Sequence, residues 1–445
     1  MMARMESGFV KPDLFMWNKP YTLREGTAIV AGLLATGLLL QLTIGPLKWQ
    51  VFAWPANIIT LAALVATLIA IWSARRHVYF FRFMTTTSAA VPAIAVAALL
   101  TAVMGLTKQV PDEQAPSDAI GITRMLAFWP FVLVYAWMTL IVGEVTTMRL
   151  FDFSWRRAPS LMSHAGLFIV LTGGTLGSAD MQRLKMYCEV GTPEWRALDA
   201  NNRVHELPLA IQLEKFTIDE YPPKLMMTNA KGEAISRQNP AQLLIDTAFV
   251  RGDLSGWNIL VEKRIENGMP AILNAMAGKM PEGMMARLRA DDIGMAHNRY
   301  GFVKSQSRGT ASALYVSATK GEQSRKGWIS SGSYLFAPQS LILDHQHILV
   351  MPPREPRRYA STVEMFTKKG QHLHAEIYVN KPLSVEGWDI YQLSYNQQMG
   401  KWSTLSVFEL VADPWLPVVY TGVFMLFVGA ICMFLMTGRR KELKT

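Results

Sequence analysis

The stretch APSLMSHAGLFIVLTGGTLGSA, from Ala158 to Ala179, decides the fold of this chain. It contains no Asp, Glu, Lys or Arg, and it is long enough to cross the hydrocarbon core of a bilayer as a helix. Its single ionisable side chain is His164. Because an imidazole is costly in hydrocarbon, a histidine inside a membrane helix indicates a functional site. The alternative is a structural ring that reaches a headgroup or hydrogen-bonds a neighbouring helix.

Five further runs share this composition and length, and together the six predict a polytopic membrane protein. Half of the sequence is hydrophobic, and the hydrophobic residues are concentrated in these runs. The six runs are Gly26–Leu47, Trp49–Ala74, Phe83–Thr107, Met125–Gly143, Ala158–Ala179 and Pro414–Gly438.

A long polar block separates the fifth run from the sixth, so the fold class is six transmembrane helices with one large, mainly antiparallel β domain between helices five and six. The predicted segments are a cytoplasmic tail (residues 1–25), a first helix pair (26–74), helices three to five (83–179), the outer β domain (180–413), the last helix (414–438) and a basic tail (439–445).

Basic residues near the ends of the runs predict the orientation. They are concentrated in both terminal tails and in the loops after the second and fourth runs, where they include Arg75, Arg76, Arg82, Arg149, Arg156 and Arg157. By the positive-inside rule both termini are cytoplasmic and residues 180–413 face outward. The formal net charge of +10 follows largely from these residues, so the charge indicates retention in the membrane and no nucleic-acid partner.

The polar block is predicted to be β-structure because short β-branched or aromatic runs alternate with turn signals such as Lys369-Gly370 and Glu386-Gly387. The predicted strands are Leu209–Ile218, Ala313–Ala318, Ile342–Met351, Ser361–Thr367, Ala375–Val379, Trp388–Tyr395 and Leu405–Val411.

Two His-x-His pairs, His345/His347 and His372/His374, lie in or beside these strands. Strand alternation places both rings of a pair on one face, so the four imidazoles form a candidate metal site, with exposed unconnected rings as the alternative. A methionine-rich segment, about Ile265–Ala296, is interpreted as adaptable hydrophobic packing, with thioether binding to copper or haem iron as the alternative. A set of aromatic residues around Trp388–Trp402 is interpreted as sheet packing, with a flat ligand as the alternative.

Several chemistries are excluded by absent motifs. The two cysteines, Cys188 and Cys432, form no CxxC or CxxCH motif, which argues against a thiol oxidoreductase and a c-type cytochrome. No Walker loop, HExxH motif or nucleophile elbow occurs. The chain therefore does not look like an enzyme that acts alone.

Two segments resemble the ResB/CcsB family of cytochrome c biogenesis proteins. The first is the histidine-led helix that starts at Ser163-His164-Ala165-Gly166. The second is a VNxPL…GWxIYQxSY…DPW…YxG run, which extends from Val379 through Asp413-Pro414-Trp415 to Gly422. The resemblance extends from about Phe83 to the end, and the helix pair within residues 26–74 is an addition to the family's usual four-span plan.

The resemblance implies a role in System II haem delivery and ligation at a bacterial inner membrane. The expected cofactor is a transported haem b, with His164 as an axial ligand and Arg156 and Arg157 as contacts for its propionates. The expected partners are a CcsA/ResC-type haem-handling protein, apocytochrome c and a thioredoxin-like thiol reductant, beside membrane lipid. The chain would be an accessory subunit of a cytochrome c haem lyase complex.

Two other functions remain open from the residues. A respiratory subunit with a b-type haem normally needs two histidines inside the bilayer, and only His164 lies within a run. A non-catalytic membrane scaffold needs none, and His164 would then be structural.

Overall fold

The computed structural model describes residues 21–111, 116–235, 241–276, 279 and 301–442, with side chains up to residue 436. The described residues form two compact units. One comprises the residues before Arg183 together with those after Val411, and the other comprises Arg183–Val411.

The first unit is helical, and six of its helices are long and apolar enough to cross a membrane. The chain is therefore a multi-pass membrane protein, as the apolar runs predict. The helices are α1 Leu23–Ile44, α2 Ala56–Ala74, the short α3 Tyr79–Met84, α4 Thr87–Leu106, α5 Trp129–Phe151, α6 Ala158–Gly177 and, after the second unit, α8 Leu416–Glu442.

The fourth predicted run ends too early. Sequence analysis stops it at Gly143, before Glu144, and assigns Arg149 to the following loop. In the structure α5 continues through Phe151, so both charged residues belong to the helix. A helix is maintained by backbone hydrogen bonds, and these do not end at a charged side chain.

Helix α1 packs tightly on α3, α4 and α5. Its Val30 is buried in one cluster with Phe83 of α3, Ala89 of α4 and Val134 of α5. A methyl group at Gly37 would lie 2.5 Å from Pro130, so the backbones of α1 and α5 meet at this glycine. Helix α1 is thus an integral part of the helical unit.

Helices α6 and α8 also meet through glycine. A methyl group at Gly166 would lie 2.5 Å from the Gly422 carbonyl oxygen, and one at Gly422 would lie 2.8 Å from the Gly166 carbonyl oxygen. Further along, a methyl group at Gly429 would lie 2.6 Å from the backbone nitrogen of Ser163. Small residues allow membrane helices to approach this closely.

Asp180 joins three helices just beyond the end of α6. Its carboxylate accepts hydrogen bonds from Nε1 of Trp415 (2.8 Å), Nδ2 of Asn57 (2.6 Å) and the backbone N–H of Trp54 (2.7 Å). Burial raises the pKa of Asp180, but the three hydrogen bonds outweigh it and leave the pKa below its ordinary value.

Among the described residues, the second unit contains the strands, the short helix α7 Ala271–Met276 and a 3-10 turn at Gly400–Trp402. The strands are β1 Gln182–Glu189, β2 Pro193–Leu198, β3 Val204–Glu220, β4 Lys224–Thr228, β5 Gln242–Leu244, β6 Arg251–Leu254, β7 Trp257–Pro270, β8 Phe302–Lys304, β9 Ala311–Lys320, β10 Gln323–Ser330, β11 Leu341–Ile342, β12 Ile348–Val350, β13 Pro356–Thr367, β14 His372–Tyr378, β15 Leu383–Val385, β16 Trp388–Tyr395 and β17 Leu405–Ala412.

The described strands form three sheets. The strand pairs whose register is given by paired residues are antiparallel, as predicted. The largest has eight strands in the order β14-β13-β3-β2-β1-β17-β16-β15. Smaller sheets have the orders β10-β9-β7-β6, with β8 on β7, and β11-β12-β4-β5.

The eight-stranded sheet curls so that distant strands share a buried polar contact. The Ser361 hydroxyl of β13 lies 2.6 Å from Gln392 Oε1 of β16 and 2.6 Å from the Ser406 hydroxyl of β17. These strands are not neighbours in the sheet order, so the inner face of the sheet closes on itself.

Candidate functional site

The imidazole of His164 lies near the start of α6, and one of its nitrogens is already engaged. Nδ1 is 2.8 Å from the Ser160 carbonyl oxygen, one helical turn earlier. A carbonyl oxygen can only accept, so Nδ1 carries a proton, and in the neutral ring the lone pair is then on Nε2. Neutral imidazole is a common metal and haem ligand. The hydrogen bond of the nitrogen that does not bind the metal, here Nδ1, fixes the tautomer and the orientation of the ring.

Arg149 of α5 is the nearest charged neighbour of this ring. Its Nη1 lies 3.4 Å from His164 Nδ1. Since Nδ1 is a donor to Ser160, this approach is a contact between two donors, and the Arg149 guanidinium keeps its hydrogen-bonding capacity. Among the described residues no carboxylate lies within ion-pair distance of Arg149. The position of Arg149 beside His164 was not predicted, because the sequence prediction places Arg149 in a loop and the structure places it in α5.

Glu144 is a second charged residue of α5 that sequence analysis missed. Its side chain is fully buried, and in the described part of the chain neither carboxyl oxygen has a hydrogen-bond partner. The neighbouring Gly143 contacts Leu68 of α2 and Phe168 of α6, so this level of α5 lies between those helices. A buried intramembrane carboxyl of this kind is a candidate functional group.

The arginines predicted to contact a propionate lie before α6. Arg156 and Arg157 belong to the exposed turn Trp155–Arg157, and Arg157 is the residue that precedes α6. His77, the other histidine on the predicted cytoplasmic side, is exposed in the turn after α2. No contact of these residues with His164 is seen, and their roles remain predictions.

The glycines after His164 divide into two groups. Gly166 contacts α8, and Gly177 faces Trp415, so both serve helix packing. A methyl group at Gly174 would meet no atom of the described chain within 4 Å, and one at Gly173 would make only ordinary contacts with Val418 and Val419. The open side of the helix is therefore at Gly174.

The two His-x-His pairs occupy different sheets. His345 and His347 lie in the turn between β11 and β12, where His347 Nδ1 is 2.8 Å from Asp344. This turn also splits the predicted strand Ile342–Met351, because Asp344 accepts backbone N–H groups of Gln346 and His347. His372 lies on β14 and stacks on Phe366 of β13.

The described residues whose potential metal-ligating atoms lie within 4.8 Å of one another are Glu214, Glu364 and His374. His374 is opposite Glu364 in the β13–β14 register. The four-imidazole set is not grouped in this way, and metal binding by His345, His347, His372 and His374 stays a prediction. Most of the methionine-rich segment, including Met280, Met284, Met285 and Met295, lies outside the described residues.

The second unit contains a cavity of about 520 Å³. It is lined by the end of β3, the starts of β9 and β13 with the residues just before them, the loop between β10 and β11, and the end of β16 with the turn that follows. The lining residues include Glu220, Thr310, Arg354, Tyr395, Lys401 and Trp402. Two of the residues from the aromatic set, Tyr395 and Trp402, are thus beside a cavity, whereas Trp388 and Tyr391 are not among its lining residues.

Residues 302–406 match the ResB-like family. The match confirms the family resemblance for the outer domain. It includes the VNxPL and GWxIYQxSY positions between the end of β14 and the end of β16 and much of the cavity lining, and it does not extend to the His164 helix. The ResB-like family is associated with cytochrome c biogenesis. No curated protein matches the chain.

Proposed function

We propose that this chain is the haem-handling membrane subunit of a cytochrome c maturation complex, in which His164 supplies one axial ligand to a haem b. The observation that carries the proposal is the free Nε2 of His164, combined with the ResB-like match. The haem would be taken from the cytoplasmic side and passed to a CcsA/ResC-type partner, which attaches it to apocytochrome c outside the inner membrane.

The surroundings of His164 suit a porphyrin. Haem supplies iron as a Lewis acid and two propionates, and Arg149 offers a guanidinium without a carboxylate partner in the described chain beside the ligand ring. Gly174, farther along α6, leaves an open surface on the same helix. A second axial ligand would come from the partner chain, because within the described residues only His164 lies in a membrane helix.

The test is the haem content of the full-length chain after co-expression with a CcsA/ResC-type partner. His164→Ala is expected to lose most co-purifying haem, and added imidazole should restore part of it. His205→Ala is the matched control, because His205 is an exposed histidine bonded to Asp199 in the other unit. Unchanged haem content and an unchanged absorption spectrum in His164→Ala would contradict the proposal and favour a scaffold role.

A further inference from the structure

The cavity of the second unit contains a charge that its own lining does not neutralise. Arg354 is paired within the protein: Nε donates to the Tyr221 carbonyl (2.7 Å), Nη2 donates to the Glu220 carbonyl (3.2 Å), and Glu220 Oε2 lies 3.5 Å from Nε. The Arg354 and Glu220 charges therefore cancel as an ion pair.

Lys401 differs from Arg354. Its Nζ donates to Asn267 Oδ1 (3.1 Å) and lies 5.2 Å from the centre of the Trp402 ring, but within the described residues it forms no ion pair. Burial lowers the pKa of Lys401. The positive charge of Arg354 adds to this effect, and the carboxylates of Glu220 and Glu266 offset part of it. A bound anion would stabilise the charged form of an ammonium group that burial has partly removed from water.

A buried hydroxyl group also belongs to the lining of this cavity. Thr310 lines the cavity and is 1% exposed, and in the described chain its Oγ1 has no hydrogen-bond partner. Its carbonyl oxygen accepts from Nε1 of Trp402 (2.9 Å), which fixes the Trp402 ring beside the cavity. Buried polar groups normally have partners, so an unpartnered hydroxyl at a cavity indicates a ligand or ordered solvent.

The aromatic side chains in the cavity wall indicate which ligand shape would fit there. Tyr395 packs against Tyr359 and Phe216, and Trp402 is held by hydrogen bonds at both its ring nitrogen and its carbonyl oxygen, which accepts from Arg308. Two immobilised aromatic side chains favour a flat apolar body. A volume of about 520 Å³ lies in the ordinary range of about 300–1,000 Å³ for small-molecule sites.

We propose that this cavity binds an organic carboxylate with a flat apolar body, whose carboxylate pairs with Lys401 and hydrogen-bonds Thr310 while its body packs against Tyr395 and Trp402. The cavity belongs to the second unit, whereas His164 belongs to the first, so the two sites share no residue. Two sources share this chemistry, a porphyrin propionate and a small aromatic acid.

The experiment measures binding to the purified full-length chain by equilibrium dialysis with three probes: an iron-free porphyrin with two propionates, its dimethyl ester, and 2-naphthoate. An iron-free porphyrin has no axial ligation, so His164→Ala should not change its binding, and failure here is distinguishable from failure of the haem proposal. At least one acid probe should bind, and the ester should bind at least tenfold more weakly than the porphyrin acid if that acid is the ligand.

Substitutions of Lys401 and Thr310 test whether these two side chains bind the carboxylate of the ligand. Lys401→Met is expected to weaken acid binding at least tenfold, and Lys401→Arg should retain it. Lys304→Met is the matched control, because Lys304 is an exposed lysine of the same unit. Thr310→Val should weaken binding several-fold with an unchanged melting temperature, which tests the site independently if Lys401→Met does not fold.

Binding of the porphyrin acid assigns the site to propionates, and binding of naphthoate alone assigns it to small aromatic acids. The proposal is overturned if neither acid binds, if the ester binds as tightly as the acid, or if folded Lys401→Met binds like the unmodified chain.

Discussion

At the scale of single residues, the hydrogen bond of His164 determines what its ring can do. Ser160 lies one turn earlier on α6, and its carbonyl oxygen holds Nδ1 at 2.8 Å. This acceptor is part of the backbone, so substitution of Ser160 does not remove it. The tautomer with a free Nε2 is consequently a property of the helix itself, and it is retained in any variant that keeps α6 intact.

Arg149 gives a prediction at the same scale. Arg149→Gln is expected to reduce haem retention in the purified complex, because it removes a guanidinium that lies 3.4 Å from the ligand ring. The absorption maximum of the remaining haem should not shift, since axial ligation is unchanged. Titration with a competing haem acceptor measures the retention.

The double variant Arg156→Gln/Arg157→Gln is the comparison for Arg149. Both arginines are exposed before α6, so we expect a smaller loss of retention than with Arg149→Gln. A larger loss in the double variant would mean that the propionates point toward the exposed turn. Normal retention in all these variants would argue against propionate contacts on this side.

At the scale of elements, the α6–α8 pair depends on glycine contacts between backbones. Gly166→Val is expected to lower the melting temperature of the purified chain, because the new side chain has to displace the α8 backbone at Gly422. Gly174→Val is the matched control on the same helix, where a methyl group meets no described atom within 4 Å. Equal melting temperatures for the two variants would contradict this packing.

The helical elements follow from composition, but their ends and partners do not. Six apolar runs locate six helices, because only a continuous apolar segment is stable in hydrocarbon. Glu144 and Arg149 hide the end of α5, since a search for uncharged runs stops at Gly143 although the backbone ladder continues. The hydrogen bond of the His164 ring has no sequence signal of its own, because its acceptor is a backbone carbonyl four residues earlier and every helical residue has one.

The strands show a similar limit. Runs that contain β-branched or aromatic residues between turn signals, such as those of β9, β13 and β16, are found from the sequence, whereas short strands such as β5, β8 and β15 have too few residues to be recognised. The cavity is beyond prediction, because it needs β3, β9, β13 and the turn after β16 to meet. The lone charge of Lys401 becomes visible only after Arg354 and Glu220 are seen to pair.

At the scale of the whole molecule, Asp180 connects parts of the chain that are distant in sequence. It binds Asn57 and the Trp54 backbone of the additional helix pair, and Trp415 immediately before α8. Asp180→Asn is expected to lower the melting temperature at neutral pH, because an amide accepts these three hydrogen bonds less strongly than a carboxylate.

Acid should have the same effect on the unmodified chain. The folded pKa of Asp180 is lowered, so its contribution to stability is complete above the ordinary aspartate pKa of about 3.9 and is lost as the pH falls through the lowered folded value. Melting temperatures measured from pH 6 downward should therefore fall less steeply for Asp180→Asn. Parallel curves for the two proteins would show that this carboxylate is not the titrating group.

The glycine contact between α6 and α8 also has a consequence in time. The ribosome synthesises the whole of Arg183–Val411 after Gly166 and before Gly422. At about 5–20 residues per second, roughly 10–50 s separate the two glycines. During that interval the surface of α6 that will receive α8 is without its partner, so the α6–α8 contact can form only after α8 has been synthesised.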